Sequence, residues 1–502
     1  MELQFESFAL VSACFLFLFT LLKILKRAEA ETPSSEKPPG PWKLPLIGNI
    51  HQLIGSLPHH SLTKLAKKYG PVMHLQLGEV SSIVISSPEM AQEVLKTHDS
   101  NFSDRSIVLA IKILTYGCRG IAFAPYGDYW RQMRKTCTME LLSLKRVQSF
   151  RSIREEEVLK LIKSISSHEG SPINLTEKFM SLIYGITARA AFGKKNQDQE
   201  KYISLMPEAS KQASGFVIAD YYPSIKVLQY ITGIRTRLEK LHWEIDMVLQ
   251  NILNEHKDRK KLAAGEDLLD ILLKIQEDSD LESSITDNDI KGIIGDVFGA
   301  GSETSSTTMT WAMTEMMKNP SVMKEAQAEA RRVFKGNGNV DEIGIHELKY
   351  LHSVIKETLR LHPAGPLLAP RESRGTCEIN GYKIPEKTRV IINAWAIGRD
   401  PKYWSEAEKF YPERFLNSSI DFRGSDFEFL PFGSGRRMCP GIAFALANIE
   451  LPLAQLLYHF DWKLPSGMRH EALDMAEQMG LTVRRKEYLI LIPVAHNPTF
   501  VE

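Results

Sequence analysis

Residues 432–441 read Phe-Gly-Ser-Gly-Arg-Arg-Met-Cys-Pro-Gly and lead into Ile-Ala-Phe-Ala-Leu-Ala-Asn-Ile-Glu-Leu at 442–451. The second run is rich in helix formers, so Cys439 stands just before a predicted helix N-terminus. Free N–H groups and the helix macrodipole stabilise a thiolate there. Gly433, Gly435 and Gly441 leave room for a flat, bulky partner to approach the backbone. The stretch therefore predicts a thiolate facing a flat ligand, although a lone cysteine in such a turn is more often a buried structural residue.

The spacing resembles the haem-binding signature of the cytochrome P-450 family, Phe-x-x-Gly-x-Arg-x-Cys-x-Gly. Phe432, Gly435, Arg437, Cys439 and Gly441 match it position for position. The resemblance implies haem b with Cys439 as the axial thiolate ligand of the iron. It also implies that Phe432 packs near the sulfur and that Arg437 pairs with a haem propionate. The fold implied is the mainly α cytochrome P-450 fold with a small β region.

The N-terminal segment is a predicted membrane anchor. Residues 8–22 are almost wholly apolar, and residues 3–25 are long enough to span a bilayer as one transmembrane helix. The basic residues Lys23, Lys26 and Arg27 follow, which predicts that the rest of the chain faces the cytosol. We therefore expect a single-pass protein of the endoplasmic reticulum membrane.

A cleaved secretory peptide is the alternative for this segment, but Glu2 and Glu6 stand where such a peptide is basic. A polar and then proline-rich stretch follows, and proline stiffens it into a spacer. It is similar to the hinge of microsomal members of the family. We expect an anchor at 1–27, a hinge at 28–45 and a haem-thiolate catalytic domain at 46–502.

Composition agrees with this organisation. The 62 basic residues almost balance the 61 acidic ones, which argues against nucleic acid as a partner. The five cysteines are odd in number and unclustered, so they indicate neither a disulfide scaffold nor a zinc site.

Local patterns place the other motifs on elements. Residues 72–77 and 82–86 flank a Gly-Glu-Val turn and predict a hairpin, and 88–97 predict a helix. Trp130 and Arg134 lie four apart, hence on one helix face. Alone the pair is an ordinary amphipathic edge, whereas the family resemblance implies that it holds a haem propionate.

A long helix is predicted between Thr286-x-x-Asp289, a capping pattern, and the stop Asn319-Pro320. Its centre, residues 299–308, consists mainly of glycine, serine and threonine, which are poor choices for a helix interior. This composition predicts a groove or kink with polar groups facing a ligand, or else a small-residue packing surface.

Residues 300–305, Ala-Gly-Ser-Glu-Thr-Ser, resemble the oxygen-activation motif of the family. By that resemblance Glu303 and Thr304 are the catalytic pair, organising a water chain that delivers protons.

Glu357-Thr-Leu-Arg360 forms a helical pair that alone is a weak surface interaction. The resemblance implies instead that Glu357, Arg360 and Arg414 form a buried structural triad that fixes the loop before Cys439. It further implies that Arg371 reaches a propionate.

The resemblance runs from the anchor to the C-terminus and is strongest to plant microsomal members that oxidise terpenoids, alkaloids and phenolics. It implies a monooxygenase that inserts one oxygen atom from O2 into a hydrophobic substrate. The chain has no flavin or nicotinamide fingerprint. The resemblance therefore implies a membrane-bound NADPH-cytochrome reductase as partner, with Arg131, Arg134, Lys135 and Arg436 as docking candidates.

Two other classes remain open: a haem-thiolate isomerase or dehydratase that does not use O2, and a non-catalytic haem or scaffold protein. The intact Glu303-Thr304 pair argues against the isomerase.

By family position, ten apolar residues should line the substrate pocket, with little fixed charge among them. They are Leu109, Ile111, Ile113, Leu114, Val297, Phe298, Leu367, Leu368, Leu481 and Val483. An apolar pocket without a charged anchor favours a hydrocarbon-like ligand. We expect a terpene, either a sesquiterpene or a macrocyclic diterpene such as casbene, with alkaloids and flavonoids or other phenolics as alternatives.

Overall fold

The structure is a computed structural model that describes residues 37–193, 197–214, 217–259, 266–277, 285–335, 340–465 and 467–496. Helices dominate it, as the sequence predicts. They are α1 Pro58–Tyr69, α2 Pro88–Gln92, α3 Leu109–Leu114, α4 Asp128–Thr136, α5 Leu144–Ser149, α6 Arg151–Ser166, α7 Leu175–Phe192, α8 Gln197–Ala213, α9 Leu228–Ile231, α10 Ile234–Arg259, α11 Leu268–Glu277, α12 Asp287–Lys318, α13 Pro320–Val333, α14 Lys349–Leu361, α15 Ala394–Ile397 and α16 Ile442–His459. The predicted helix at 88–97 consists of α2 and a π-helical turn, Glu93–Thr97.

The β region is small and consists of short strands. They are β1 Val72–Leu77, β2 Val80–Ile85, β3 Asp104–Arg105, β4 Ile173–Asn174, β5 Arg371–Glu372, β6 Cys377–Ile379, β7 Tyr382–Ile384, β8 Arg389–Ile392, β9 Phe460–Lys463, β10 Glu477–Met479, β11 Val483–Arg485 and β12 Ile490–Ala495. The predicted hairpin is β1–β2, and it continues into a five-stranded sheet in the order β1-β2-β8-β5-β3. This sheet brings residues near 105 beside residues near 371 and 389.

Helix α12 crosses both main apolar cores. Its N-terminal half packs with α7, α8, α10 and α11, and its C-terminal half packs with α6, α7, α14 and α16. The Thr286 capping box predicted from the sequence is present, and the Asn319 cap ends the helix.

The Gly/Ser/Thr centre of α12 does not interrupt the helix, which is continuous from 287 to 318. Several hydroxyls of this segment donate to carbonyls four residues back, as in Thr304 Oγ1 to Ala300 O at 2.6 Å and Thr308 Oγ1 to Thr304 O at 2.9 Å. Such bonds satisfy the hydroxyl donors within the helix, so these residues are tolerated in its interior. The helix is therefore uninterrupted at the position of the predicted groove or kink.

The predicted anchor, residues 1–27, lies outside the described residues. Within the described ranges, no helix combines the length and the apolar character that crossing a membrane requires. The described part of the hinge lies on the sheet, because the N–H of His74 donates to Pro39 O at 2.8 Å. Asn49 Nδ2 likewise donates to Pro41 O at 3.2 Å.

Candidate active site

A cavity of about 530 Å³ lies between the centre of α12 and the loop that precedes α16. On the α12 side it is lined by Ala300, Gly301 and Thr304. On the opposite side it is lined by the 431–441 loop, including Cys439. The small residues of α12 therefore leave open space between this helix and the cysteine loop.

The Cys439 thiol is held in a defined loop conformation. The backbone N–H of Cys439 donates to Phe432 O at 3.0 Å, and Gly441, two residues later, is the N-cap of α16. Burial raises the pKa of the Cys439 thiol, while the N–H of Gly441 and the charge of Arg134 act in the opposite direction. The helix N-terminus therefore does not by itself produce a thiolate here, and a coordinated metal ion is what would deprotonate the sulfur.

The three glycines of the loop have different roles, which corrects the expectation that all make room for a ligand. Gly433 and Gly441 line the cavity. Gly435 has a φ of +71°, and a Cβ there would lie 2.2 Å from Leu95 O. Its position is filled by the chain itself, so the glycine is needed for the turn and for that close approach.

Arginine side chains gather at one edge of the cavity. They are Arg105, Arg134, Arg371 and Arg437. Burial and the charges of Arg371, Arg437 and Arg134 hold the pKa of Arg105 well below its ordinary value. Such mutual repulsion between cations marks a place where a ligand with negative charges is stabilised.

Two of the predicted propionate arginines, Arg437 and Arg371, already make several hydrogen bonds within the protein. Arg437 donates to the carbonyls of Ser103 at 2.7 Å, Ile121 at 3.4 Å and Ala124 at 2.6 Å. Arg371 donates to Asp99 Oδ1 at 3.0 Å and to Ser434 O at 2.8 Å.

Two neighbouring arginines, the predicted Arg134 and the unpredicted Arg105, make fewer hydrogen bonds to the protein. Arg134 donates to Met438 O, and Arg105 donates to the carbonyls of Ala122 and Ala369. The sequence reasoning missed Arg105, since only the pairing of β3 with β5 brings it beside Arg371.

Trp130 contributes by packing. Its indole Nε1 donates to Ile121 O at 2.9 Å, and the guanidinium carbon of Arg437 lies 4.2 Å from its ring centroid. Trp130 thus orients Arg437. Arg134, one turn further along α4, reaches the cavity.

Phe432 lines the cavity, and its ring packs edge-on against Phe422 at 5.4 Å.

The two residues of the predicted catalytic pair, Glu303 and Thr304, have different environments. Thr304 lines the cavity, whereas the Glu303 carboxylate faces α8 and the turn before β11. Ser210 Oγ donates to Glu303 Oε2, and Thr482 Oγ1 donates to Glu303 Oε1 at 2.8 Å. Thr482 also lies 3.4 Å from Thr307 Oγ1. Both oxygens of the acid are therefore held by hydroxyls.

The structure brings Glu357, Arg360 and Arg414 together in a buried network. Arg360 forms a fork to Glu357, with Nε to Oε2 at 2.7 Å and Nη2 to Oε1 at 2.8 Å. Arg414 Nε donates to Glu357 Oε1 at 3.0 Å. Arg360 Nη1 also donates to the carbonyls of Gly398 and Ala407, so the triad holds the segment that leads to the 431–441 loop.

The pocket prediction is half right. Ile111, Val297, Leu367, Leu368 and Leu481 line the cavity. Phe298 does not, because it lies about 100° around α12 from Val297 and packs against Tyr184 and Tyr202. The remaining members, Leu109, Ile113, Leu114 and Val483, also lie outside the lining.

The expectation of little fixed charge in the pocket is wrong. Asp296 of α12 and Arg389 of β8 both line the cavity. Asp296 Oδ2 accepts the N–H of Ala122 at 2.8 Å, and burial raises the pKa of this carboxyl to about 6. The sequence signal was available, because Asp296 is one helical turn before Ala300.

These features fit a haem group. The cavity has a thiol on one wall, small residues facing it, and an excess of buried guanidinium groups at one edge. Haem has a flat ring that such a slot accepts and two propionates that such an edge neutralises.

The comparisons agree with this geometry. The family model for cytochrome P-450 matches residues 38–492, so the chain belongs to the cytochrome P-450 family. It is a haem protein with a cysteine thiolate axial ligand and an oxidoreductase of the monooxygenase type. Dependence on a reductase is standard for this family.

Among curated plant proteins, cytochrome P-450 71D10 of Glycine max is 57% identical over 98% of both chains. Tabersonine 6,7-epoxidase isoform 1 of Catharanthus roseus is 54% identical over 99% of both. Premnaspirodiene oxygenase of Hyoscyamus muticus is 52% identical over 98% of this chain and 99% of its own. Among solved structures, a zebra fish cytochrome P-450 with progesterone matches with a TM-score of 0.75 and 27% identity, covering 88% of this chain and 100% of its own.

Proposed function

We propose that this monooxygenase inserts one oxygen atom from O2 into a hydrophobic terpene, either a sesquiterpene or a casbene-type diterpene. The observation that carries the proposal is the apolar lining of most of the cavity. This lining includes Leu53, Leu62, Leu75, Leu77, Ile111, Ile121, Phe123, Val297, Leu367, Leu368 and Leu481. A relative named for premnaspirodiene, a terpene, supports the same class.

Bound haem supplies oxygen activation at its thiolate-ligated iron. Cys439 is the residue that would hold the iron, and Arg105, Arg134, Arg371 and Arg437 would neutralise the propionates. Thr304 lines the cavity, and its hydroxyl oxygen, whose proton is donated to Ala300 O, would accept a hydrogen bond from a water that relays protons. Glu303 acts behind it as the acid whose position Ser210 and Thr482 fix. Apolar neighbours such as Val297 exclude bulk water from the substrate side.

An alkaloid is the second candidate, because Asp296 is a carboxyl on the cavity wall that could pair with a protonated amine. A relative named for tabersonine, an alkaloid, supports this alternative.

The proposal includes attachment to the endoplasmic reticulum membrane through residues 1–27, with the haem domain in the cytosol. An NADPH-cytochrome reductase would dock on the exposed side chains Arg131, Lys135 and Arg436. Arg134 is not part of this proposed docking surface, because its side chain lines the cavity.

The test is co-expression with a plant reductase, followed by feeding of terpene, indole-alkaloid and flavonoid substrates. Mass spectrometry should detect one added oxygen on terpenes, and only when NADPH and reductase are present. Oxidation confined to the amine or phenolic substrates would overturn the terpene assignment. Turnover without reductase or O2 would indicate an isomerase or dehydratase.

A further inference from the structure

Arg389 is a cation on the wall of an otherwise largely apolar cavity. It is the first residue of β8, and strand alternation directs its side chain to the same face as Ile391. Its Nε donates to Ser106 Oγ at 2.8 Å, and its guanidinium carbon lies 6.0 Å from the ring of Tyr221. All four residues line the cavity.

The charge of Arg389 has no direct counter-ion. Among the described residues, no carboxylate lies within 4.0 Å of its guanidinium nitrogens, and neither Nη atom has a protein acceptor. Asp220 attracts it only from a greater distance, and Asp220 Oδ1 already accepts the N–H of Leu109 at 2.8 Å. Burial lowers the pKa of Arg389, while Tyr221, Asp220 and Glu372 act in the opposite direction.

Arg389 stands apart from the arginine cluster assigned to the propionates. Arg371 of β5 pairs with Val390, so Arg371 and Arg389 project from opposite faces of the sheet. Arg389 is also absent from the charges that act on Arg105, which come from Arg371, Arg437 and Arg134. Arg389 therefore lines the cavity apart from the arginine cluster assigned to the propionates.

Arg389 is half-buried and neither Nη atom has a protein acceptor among the described residues, so a substrate that displaces water from the cavity leaves these donors unpaired unless it brings an acceptor of its own. We propose that Arg389 anchors a carboxylate or carbonyl oxygen of the substrate. The enzyme then acts on a hydrophobic molecule that already carries oxygen, so an earlier oxidation must supply its substrate. This inference rests on the proposed function and narrows it from a terpene to an oxygenated terpenoid.

The test measures ligand binding to the full-length haem-loaded protein through the shift of its Soret band. The probes are two acid–hydrocarbon pairs: farnesoic acid with farnesene, and dodecanoic acid with dodecane. Arg389→Gln should weaken binding of both acids roughly 10- to 100-fold and leave both hydrocarbons within about twofold, as expected for one charge-assisted hydrogen bond. Arg389→Lys should retain most of the acid affinity. Lys387→Gln, an exposed change on the same segment, should alter neither class.

Each other outcome is decisive. If Arg389→Gln weakens binding of acids and hydrocarbons equally, or changes the binding of neither, the proposal that Arg389 anchors the substrate is wrong and the terpene assignment is unaffected. If only dodecanoic acid and dodecane bind, and Arg389→Gln weakens binding of the acid alone, the role of Arg389 is supported and the terpene assignment is wrong. Failure of every probe to bind the unmodified protein overturns both. Loss of haem from both Arg389 variants would assign the residue to the haem site and overturn the proposal.

Discussion

At the scale of single residues, Thr304 is where the hydroxyl-rich face of α12 meets the cavity. Thr304→Ala removes a hydroxyl that can relay protons and leaves the helix itself intact. We expect near-normal haem content, less product per NADPH consumed and more peroxide. The measurement is the ratio of product to NADPH and to hydrogen peroxide in the reconstituted system.

Thr310→Ala is the matched control, because Thr310 Oγ1 makes the same kind of bond, to Ser306 O at 2.8 Å, away from the cavity. If the two variants couple NADPH to product equally well, the Gly/Ser/Thr centre of α12 serves helix packing alone.

Asp296 gives a pH-dependent prediction. Burial raises its pKa from 3.8 to about 6, so between these values the folded protein retains a proton that the unfolded chain has lost. Stability contributed at this site therefore falls as pH rises through that window. The free energy of unfolding of the unmodified protein, relative to Asp296→Asn, should decrease by on the order of 2 kcal/mol between pH 4 and pH 7.

Urea unfolding of both haem-loaded proteins across this pH range measures the difference. Asp128→Asn is the control, since the Asp128 side chain is 96% exposed. A difference that does not change with pH would mean that Asp296 titrates as it does in the unfolded chain.

At the scale of elements, the Glu357 network joins α14 to the segment 398–414. The Glu357 and Arg360 side chains are fully buried, so Glu357→Gln leaves two guanidinium groups without their counter-ion. Stranding buried charges costs about 3–5 kcal/mol. We expect a lower urea midpoint and a reduced haem-to-protein ratio, because the segment leads to the Cys439 loop.

Glu347→Gln, an exposed acid just before α14, should change neither quantity. Wild-type haem content and stability in Glu357→Gln would show that hydrogen bonding by the amide suffices and that the charge is dispensable.

At the scale of the whole molecule, membrane attachment is predicted to reside in the anchor. Deleting residues 1–27 should release most of the protein into the supernatant with its haem site intact, because the described core begins at residue 37. The measurement is the distribution of haem absorbance between pellet and supernatant after ultracentrifugation, with the full-length protein as control.

Quantitative retention of the truncated protein in the pellet would instead indicate a second attachment surface at residues 216–225. The described part of that segment has exposed apolar side chains, Ile218 at 54% and Ile225 at 42%. It lies beside the residue that directly follows the hinge, since Tyr222 OH donates to Leu46 O at 3.3 Å.

The sequence alone determined the family, the iron ligand and the helix that crosses the domain. Each of these is encoded within one element or loop: the 432–441 signature carries the family and the iron ligand, and the capped segment from Thr286 to Asn319 is the helix. Local spacing is sufficient where a short stretch of backbone sets the geometry.

Only the tertiary structure decided which side chains reach the cavity. Arg105 and Arg389 lie there because β3, β5 and β8 pair in one register, although they are far apart in the chain. Val297 faces the cavity while Phe298 faces a core, a distinction of one residue that depends on how α12 is rotated against its neighbours. The charges of Arg105 and Arg389 were missed because strand register arises from packing between distant segments and leaves no local pattern, whereas Asp296 had a local signal in its position one turn before Ala300.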